Sequence, residues 1–120
     1  QYDYGMRWGD VEGDGDAAVI TFVWAMAAVR EAIARLAREG IAVRLVGLRL
    51  LAPAQPARLA GALDGVARVL VVEQNHGAQL YRYLRAMYDL PGKPASFHRP
   101  GPLPLRPAEL AQAIVQWRSA

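Results

Sequence analysis

Glu73, Gln74 and Asn75 close an apolar run that begins at Val69, and they stand where a buried strand should end. An acid beside two amides, with His76 and Gln79 just beyond, is the densest polar group in the chain. In α/β proteins such a group sits where loops and helix N-termini converge outside the carboxyl ends of the strands, the usual place for ligands. The same residue types also serve structure. Asn75 or His76 could cap the helix that follows, and Glu73 could pair with an arginine or accept backbone N–H bonds.

Other chemistries find little purchase. The chain has no cysteine, which excludes disulfides, thiolate metal sites, cysteine nucleophiles and protein-held iron–sulfur clusters within it. Its serines, Ser96 and Ser119, lie in a loop and near the C-terminus, with no Gly-x-Ser-x-Gly elbow. His76 and His98 would form a metal pair only if the fold brought them together with an acid such as Glu73. Asp10-x-Glu12-x-Asp14-Gly15 copies the first half of a calcium loop, but Thr21 stands where the bidentate acid is required. The turn Val23-Trp24-Ala25-Met26-Ala27-Ala28 has no glycine to let backbone amides approach a phosphate, so neither a dinucleotide fingerprint nor a Walker loop is present. No catalytic residue and no metal site is expected in this chain.

The elements that must position the polar group follow from periodicity. Ala17 to Trp24 is nearly continuous apolar and β-branched sequence, the pattern of a strand buried on both faces. Met26, Val29, Ile33 and Leu36 then recur at helical spacing, Glu31 and Arg35 form an i,i+4 pair, and Gly40 stands at a helix stop. Ile41 to Leu48 predicts a second strand, and Pro56 opens a short helix carrying Leu59 and Leu63 that stops at Gly65. Val66 to Glu73 is a third strand. Leu80, Tyr83, Leu84 and Met87 mark one face of the next helix, with Arg82 and Arg85 turned away. Leu90 to Pro107 holds six of the eight prolines and predicts loop with at most a short strand at Ala95 to His98. Pro107 begins a last helix with Leu110, Ile114 and Trp117 on one face. Tyr4 to Val11 can add an edge strand before the Asp- and Gly-rich turn. Residues 1–16 are thus a leading segment, and 17–120 the body of a single α/β domain.

Composition is compatible with one compact unit: 120 residues, 53% hydrophobic. No apolar stretch approaches the ~20 residues of a membrane span, and no signal-peptide pattern opens the sequence, so a cytoplasmic protein is expected. The net charge of +3 rests almost wholly on arginine. Arg49, Arg82, Arg85, Arg99 and Arg106 read as scattered surface charges rather than a nucleic-acid patch.

Several segments together resemble a known family. Val19-Ile20-Thr21-Phe22, the helix from Val29 to Gly40, the strand and loop from Val46 to Pro53, and Val69 to Asn75 with Gln79-Leu80 are similar in order and spacing to the transketolase C-terminal-like domain of the α subunit of 2-oxoacid:ferredoxin oxidoreductases. The resemblance implies a three-layer α/β/α sandwich on a five-stranded, mostly parallel mixed sheet with one antiparallel edge strand. It implies a place in a complex that decarboxylates a 2-oxoacid with thiamine diphosphate, passes electrons through iron–sulfur clusters to ferredoxin and forms an acyl-CoA. In such a complex thiamine diphosphate and magnesium are held by other domains. The implied partners are the thiamine-binding domain of the same subunit and the β subunit, with ferredoxin and CoA reached through the complex. Neither nucleic acid nor membrane is implied.

On this reading the chain serves assembly and active-site shaping, with Glu73, Gln74, Asn75, His76 and Gln79 at an interface or near a ligand, and is inactive alone. Departures from the family pattern fall at Val23-Trp24-Ala25-Met26, where the family has Gly-Ser or Gly-Thr, at Pro53-Ala54-Gln55-Pro56, and at His76-Gly77-Ala78. A different reading makes the chain an autonomous α/β module binding a small anion around Glu73 and Asn75, helped by Arg49 or Arg82. Apolar surface around Trp8, Trp24 or Met26 could drive a homodimer.

Overall fold

Alternate residues of the central strands point to opposite faces, and both faces are apolar, so each must be covered by helices. A computed structural model, which describes residues 9–22, 25–49, 56–73, 79–88, 90–98 and 105–119, shows how this is done. The order of elements is β1 (Gly9–Glu12), β2 (Ala17–Phe22), α1 (Met26–Ala37), β3 (Arg44–Leu48), α2 (Pro56–Ala62), β4 (Arg68–Glu73), α3 (Gln79–Met87), β5 (Ala95–His98) and α4 (Pro107–Ser119).

The sheet has five strands in the order β1-β3-β2-β4-β5. All neighbours are parallel except β1, which runs antiparallel to β3 at one edge. Ala18, Ile20, Val46, Leu48, Val69 and Val71 face α2 and α3, meeting Leu59, Leu63, Leu80 and Leu84. Val19, Leu45, Leu70 and Val72 face α1 and α4, meeting Val29, Ala32, Leu36, Leu110 and Ile114. Two apolar layers therefore flank one sheet, giving the expected three-layer sandwich with its antiparallel edge strand.

Several boundaries differ from the sequence reading. The first strand extends to Glu12 rather than Val11, and its expected beginning at Tyr4 lies outside the described residues. Ile41 is not in a strand. Gly40, at φ 81°, turns the chain so that the Ile41 N–H reaches back to the Leu36 carbonyl at 2.9 Å, which uses these residues to terminate α1. Val66 and Ala67 likewise precede β4, because their N–H groups bond to Leu63 and Asp16 carbonyls at 2.9 and 2.6 Å instead of joining the ladder. The strand at Ala95 to His98 forms as expected, and so does the Glu31–Arg35 pair at 3.3 Å.

Met26 requires a correction: it is buried, not part of an exposed apolar surface. Its side chain lies across Gly47 of β3 so closely that a Cβ there would stand 2.8 Å from both Met26 Cγ and Cε. Glycine at 47 is what lets α1 start tight against the sheet. Trp8 and Trp24 lie outside the described residues.

Candidate functional site

Strand parity decides what Glu73 can do. It follows Val69 and Val71 on the face of β4 that carries α3, and it is buried, only 2% exposed. A carboxylate in that position needs donors close by. The first turn of α3 supplies them: Leu80 N donates to Glu73 Oε1 at 2.7 Å, and Tyr81 N donates to Oε2 at 3.0 Å. These N–H groups have no partner within a helix, and the positive end of the helix dipole lies beside them. Glu73 therefore caps α3 from the end of the preceding strand, with both oxygens engaged.

Around this centre the sheet is closed by further polar contacts. The buried Thr21 hydroxyl donates to the Val72 carbonyl at 2.6 Å, joining the carboxyl ends of β2 and β4. On the other side, the β4–β5 register sets His98 beside Glu73. His98 is exposed, and its Nδ1 lies 3.3 Å from the Ser96 hydroxyl. Tyr81 donates its phenol to the Pro94 carbonyl at 3.1 Å, tying α3 to the chain entering β5. Arg85 lies over the Tyr81 ring, 5.7 Å from its centroid.

Of the expected site residues, the structure thus places Glu73 at the end of β4, capping the first turn of α3, and Gln79 as the residue that opens that helix. Gln74, Asn75 and His76 lie outside the described residues. Among the described residues no three His, Asp or Glu side chains converge as a metal site would need. Arg49, a proposed helper for an anion, pairs instead with Asp10 at 3.1 Å on the antiparallel edge. Arg82 is exposed on α3.

The sequence reading passed over three other structural side chains. Arg44 Nη1 donates to the Ala62 and Asp64 carbonyls at 2.9 and 2.7 Å, closing the C-terminal end of α2. Arg68 donates to the Arg118 carbonyl near the end of α4. Thr21 is the third. Arg44 and Arg68 open apolar strands and Thr21 is the one polar residue of β2, and those positions are the signal that could have found them.

A parallel sheet of this order, with one antiparallel edge and a glutamate closing β4 onto a helix, invites comparison with solved enzymes. One match decides the matter. The chain has the fold of a segment of a 2-oxoglutarate:ferredoxin oxidoreductase. The solved protein is that from Magnetococcus marinus, with 2-oxoglutarate, coenzyme A and succinyl-CoA bound. The TM-score is 0.81 at 28% sequence identity, over 94% of this chain. The chain spans 20% of that oxidoreductase chain. No family model and no curated protein matches the sequence. No helix among the described residues is long and apolar enough to cross a membrane.

Proposed function

We propose that this chain is the transketolase C-terminal-like domain of the α subunit of a thiamine-diphosphate-dependent 2-oxoacid:ferredoxin oxidoreductase. Its task is assembly and shaping of the active-site neighbourhood for oxidative decarboxylation of a 2-oxoacid to an acyl-CoA. The observation that carries this reading is the match over 94% of the chain to a 2-oxoglutarate:ferredoxin oxidoreductase. The segments on which the sequence resemblance rests fall in the same core: Val19 to Phe22 is β2, and Val69 to Glu73 belongs to β4.

The described residues do not compose a diphosphate or magnesium site. The Leu80 and Tyr81 N–H groups, which a phosphate would otherwise use, are turned to Glu73. On this reading thiamine diphosphate, magnesium and the iron–sulfur clusters belong to other parts of the parent complex. The partners are the thiamine-binding domain of the same subunit and the β subunit, with ferredoxin and CoA engaged through the complex. The setting is the cytoplasm.

In this assignment Glu73 holds α3 against β4, while Gln74, Asn75, His76 and Gln79 meet the neighbouring domains. The alternative of a free-standing anion module gains nothing from the geometry, since Glu73 takes the place at the α3 N-terminus that an anion would occupy. Asn75→Ala tests the assignment. In the whole complex the substitution is expected to weaken assembly or turnover while the melting temperature of the isolated domain stays unchanged. A domain that loses its fold on this substitution, or a complex indifferent to it, would remove Asn75 from the interface.

A further inference from the structure

At the amino end of β4, opposite to Glu73, lies a groove of about 380 Å³ lined by Ala67, Arg68, Gly92, Lys93 and Trp117. Its volume falls within the ~300–1,000 Å³ common for small-ligand sites. Two of its five lining residues are cations and none is an acid. Its parts are also held in place by features that the core packing alone does not require.

Arg68 is exposed and donates one of its N–H groups to the Arg118 carbonyl, which leaves further donors on the guanidinium. Lys93 is carried on a turn whose preceding residue, Gly92, has φ 66° and sits so near the Ala67 carbonyl that a Cβ would collide with it. Only glycine brings this turn against the start of β4. Trp117 packs one part of its indole on the α1/α4 core and stays partly exposed at the groove. Among the described residues Lys93 forms no ion pair. The neighbouring Asp16 contributes its backbone carbonyl to Ala67 and Arg68.

From this arrangement we infer a binding site for a phosphorylated aromatic ligand of the nucleotide class, its phosphates on Lys93 and Arg68 and its base against the Trp117 indole. Charge-assisted bonds to phosphate come from a guanidinium fork and an ammonium, and an aromatic platform accepts any base by its face. The α4 C-terminus nearby disfavours anions through its carbonyls; Arg68 answers them and leaves Lys93 as surplus positive charge. The site lies at the end of the sheet away from the proposed domain interface, so it does not depend on the proposed function.

Calorimetric titration of the purified chain with ADP, adenosine and pyrophosphate tests the inference. ADP is expected to bind more tightly than either fragment. Lys93→Ala should weaken ADP and pyrophosphate by about tenfold, the loss of one charge-assisted contact. Trp117→Leu should weaken ADP and leave pyrophosphate unchanged. Thermal melting of each variant without ligand separates a folding defect from a binding one, and Lys93→Arg should restore most of the affinity. Absence of ADP binding at millimolar concentration to the folded chain would overturn the site, and so would ADP binding indifferent to both Lys93→Ala and Trp117→Leu.

Discussion

Replacing Glu73 separates a structural carboxylate from a functional one. The side chain is 2% exposed and receives the Leu80 and Tyr81 N–H groups at 2.7 and 3.0 Å. A hydrogen bond to a charged group contributes roughly 1.5–3 kcal/mol, and a carboxylate at a partly buried helix N-terminus up to about 2 kcal/mol. These describe the same contact and do not add. Glu73→Ala leaves two donors without their acceptor, and water entering the space left by the carboxylate restores part of the loss. The expected destabilisation is about 2–4 kcal/mol. Glu73→Gln keeps one carbonyl acceptor but sets an NH2 against the other donor, and should cost about half as much.

Urea unfolding of the isolated chain measures both variants, and amide exchange at Leu80 and Tyr81 localises the effect. At about 4 °C per kcal/mol for a chain of this size, the alanine variant should melt roughly 10 °C lower. The amides of α3 should lose protection before those of α1. The reasoning fails if both variants melt within about 1 °C of the parent with α3 protection intact. If turnover of the whole complex were nevertheless abolished in those stable variants, Glu73 would have to be reassigned as a group acting on substrate or cofactor.

Two further perturbations address the frame. Gly47→Ala would set a methyl 2.8 Å from Met26 Cγ and Cε in a buried place, with an expected cost of about 1–3 kcal/mol by chemical unfolding. Met26→Ala in the same chain should recover part of that loss, and strictly additive effects would rule out the contact as its cause. Glu12 receives a bidentate contact from Arg30 at 2.8 and 2.6 Å, which holds its carboxyl below the usual range. The side chains remain 53% and 41% exposed, so Glu12→Gln should cost no more than about 0.5 kcal/mol at neutral pH. Because the folded-state pKa is the lowered one, this contribution is complete above the unfolded carboxylate's pKa and disappears as pH falls through the folded one. Arg30 is shifted further upward and stays charged throughout that window. Stability curves of parent and variant should therefore converge in acid; divergence there would contradict the sign.

How far the sequence discloses this structure depends on the kind of information each element carries. The strands β2 and β4 are legible because β-branched and aliphatic runs buried on both faces have no other economical use, and α1 because its period changes at Met26. The ends are less legible. Ile41 and Val66 have strand-like side chains, yet their N–H groups close the preceding helical turns at Leu36 and Leu63, and the Ala67 N–H goes to Asp16, a neighbour distant in sequence. Met26 illustrates the same limit: an apolar residue opening a helix could face a partner or the core, and only Gly47, twenty-one positions on, decides for the core. The polar group at the end of β4 was visible as a position. Its role in capping α3 follows from parity, which places Glu73 on the face of Val69 and Val71 and hence under the helix that comes next.

Each end of the sheet meets helix termini whose unpaired backbone groups need partners. Helix N-termini at the carboxyl end of a parallel sheet attract anions, and helix C-termini at the amino end attract cations. At three of these termini the answer comes from within. Glu73 fills the first turn of α3; Arg44 bonds to the carbonyls at the end of α2, and Arg68 to the Arg118 carbonyl near the end of α4. These three termini take their partners from the chain's own side chains, whereas α1 begins without a side-chain cap. On the proposed assignment, the carboxyl end of β4 is the support on which the Gln74-Asn75-His76 segment meets another domain. That division predicts opposite consequences for neighbouring substitutions: Glu73 variants should be read in the stability of the chain, and Asn75 variants in the behaviour of the complex.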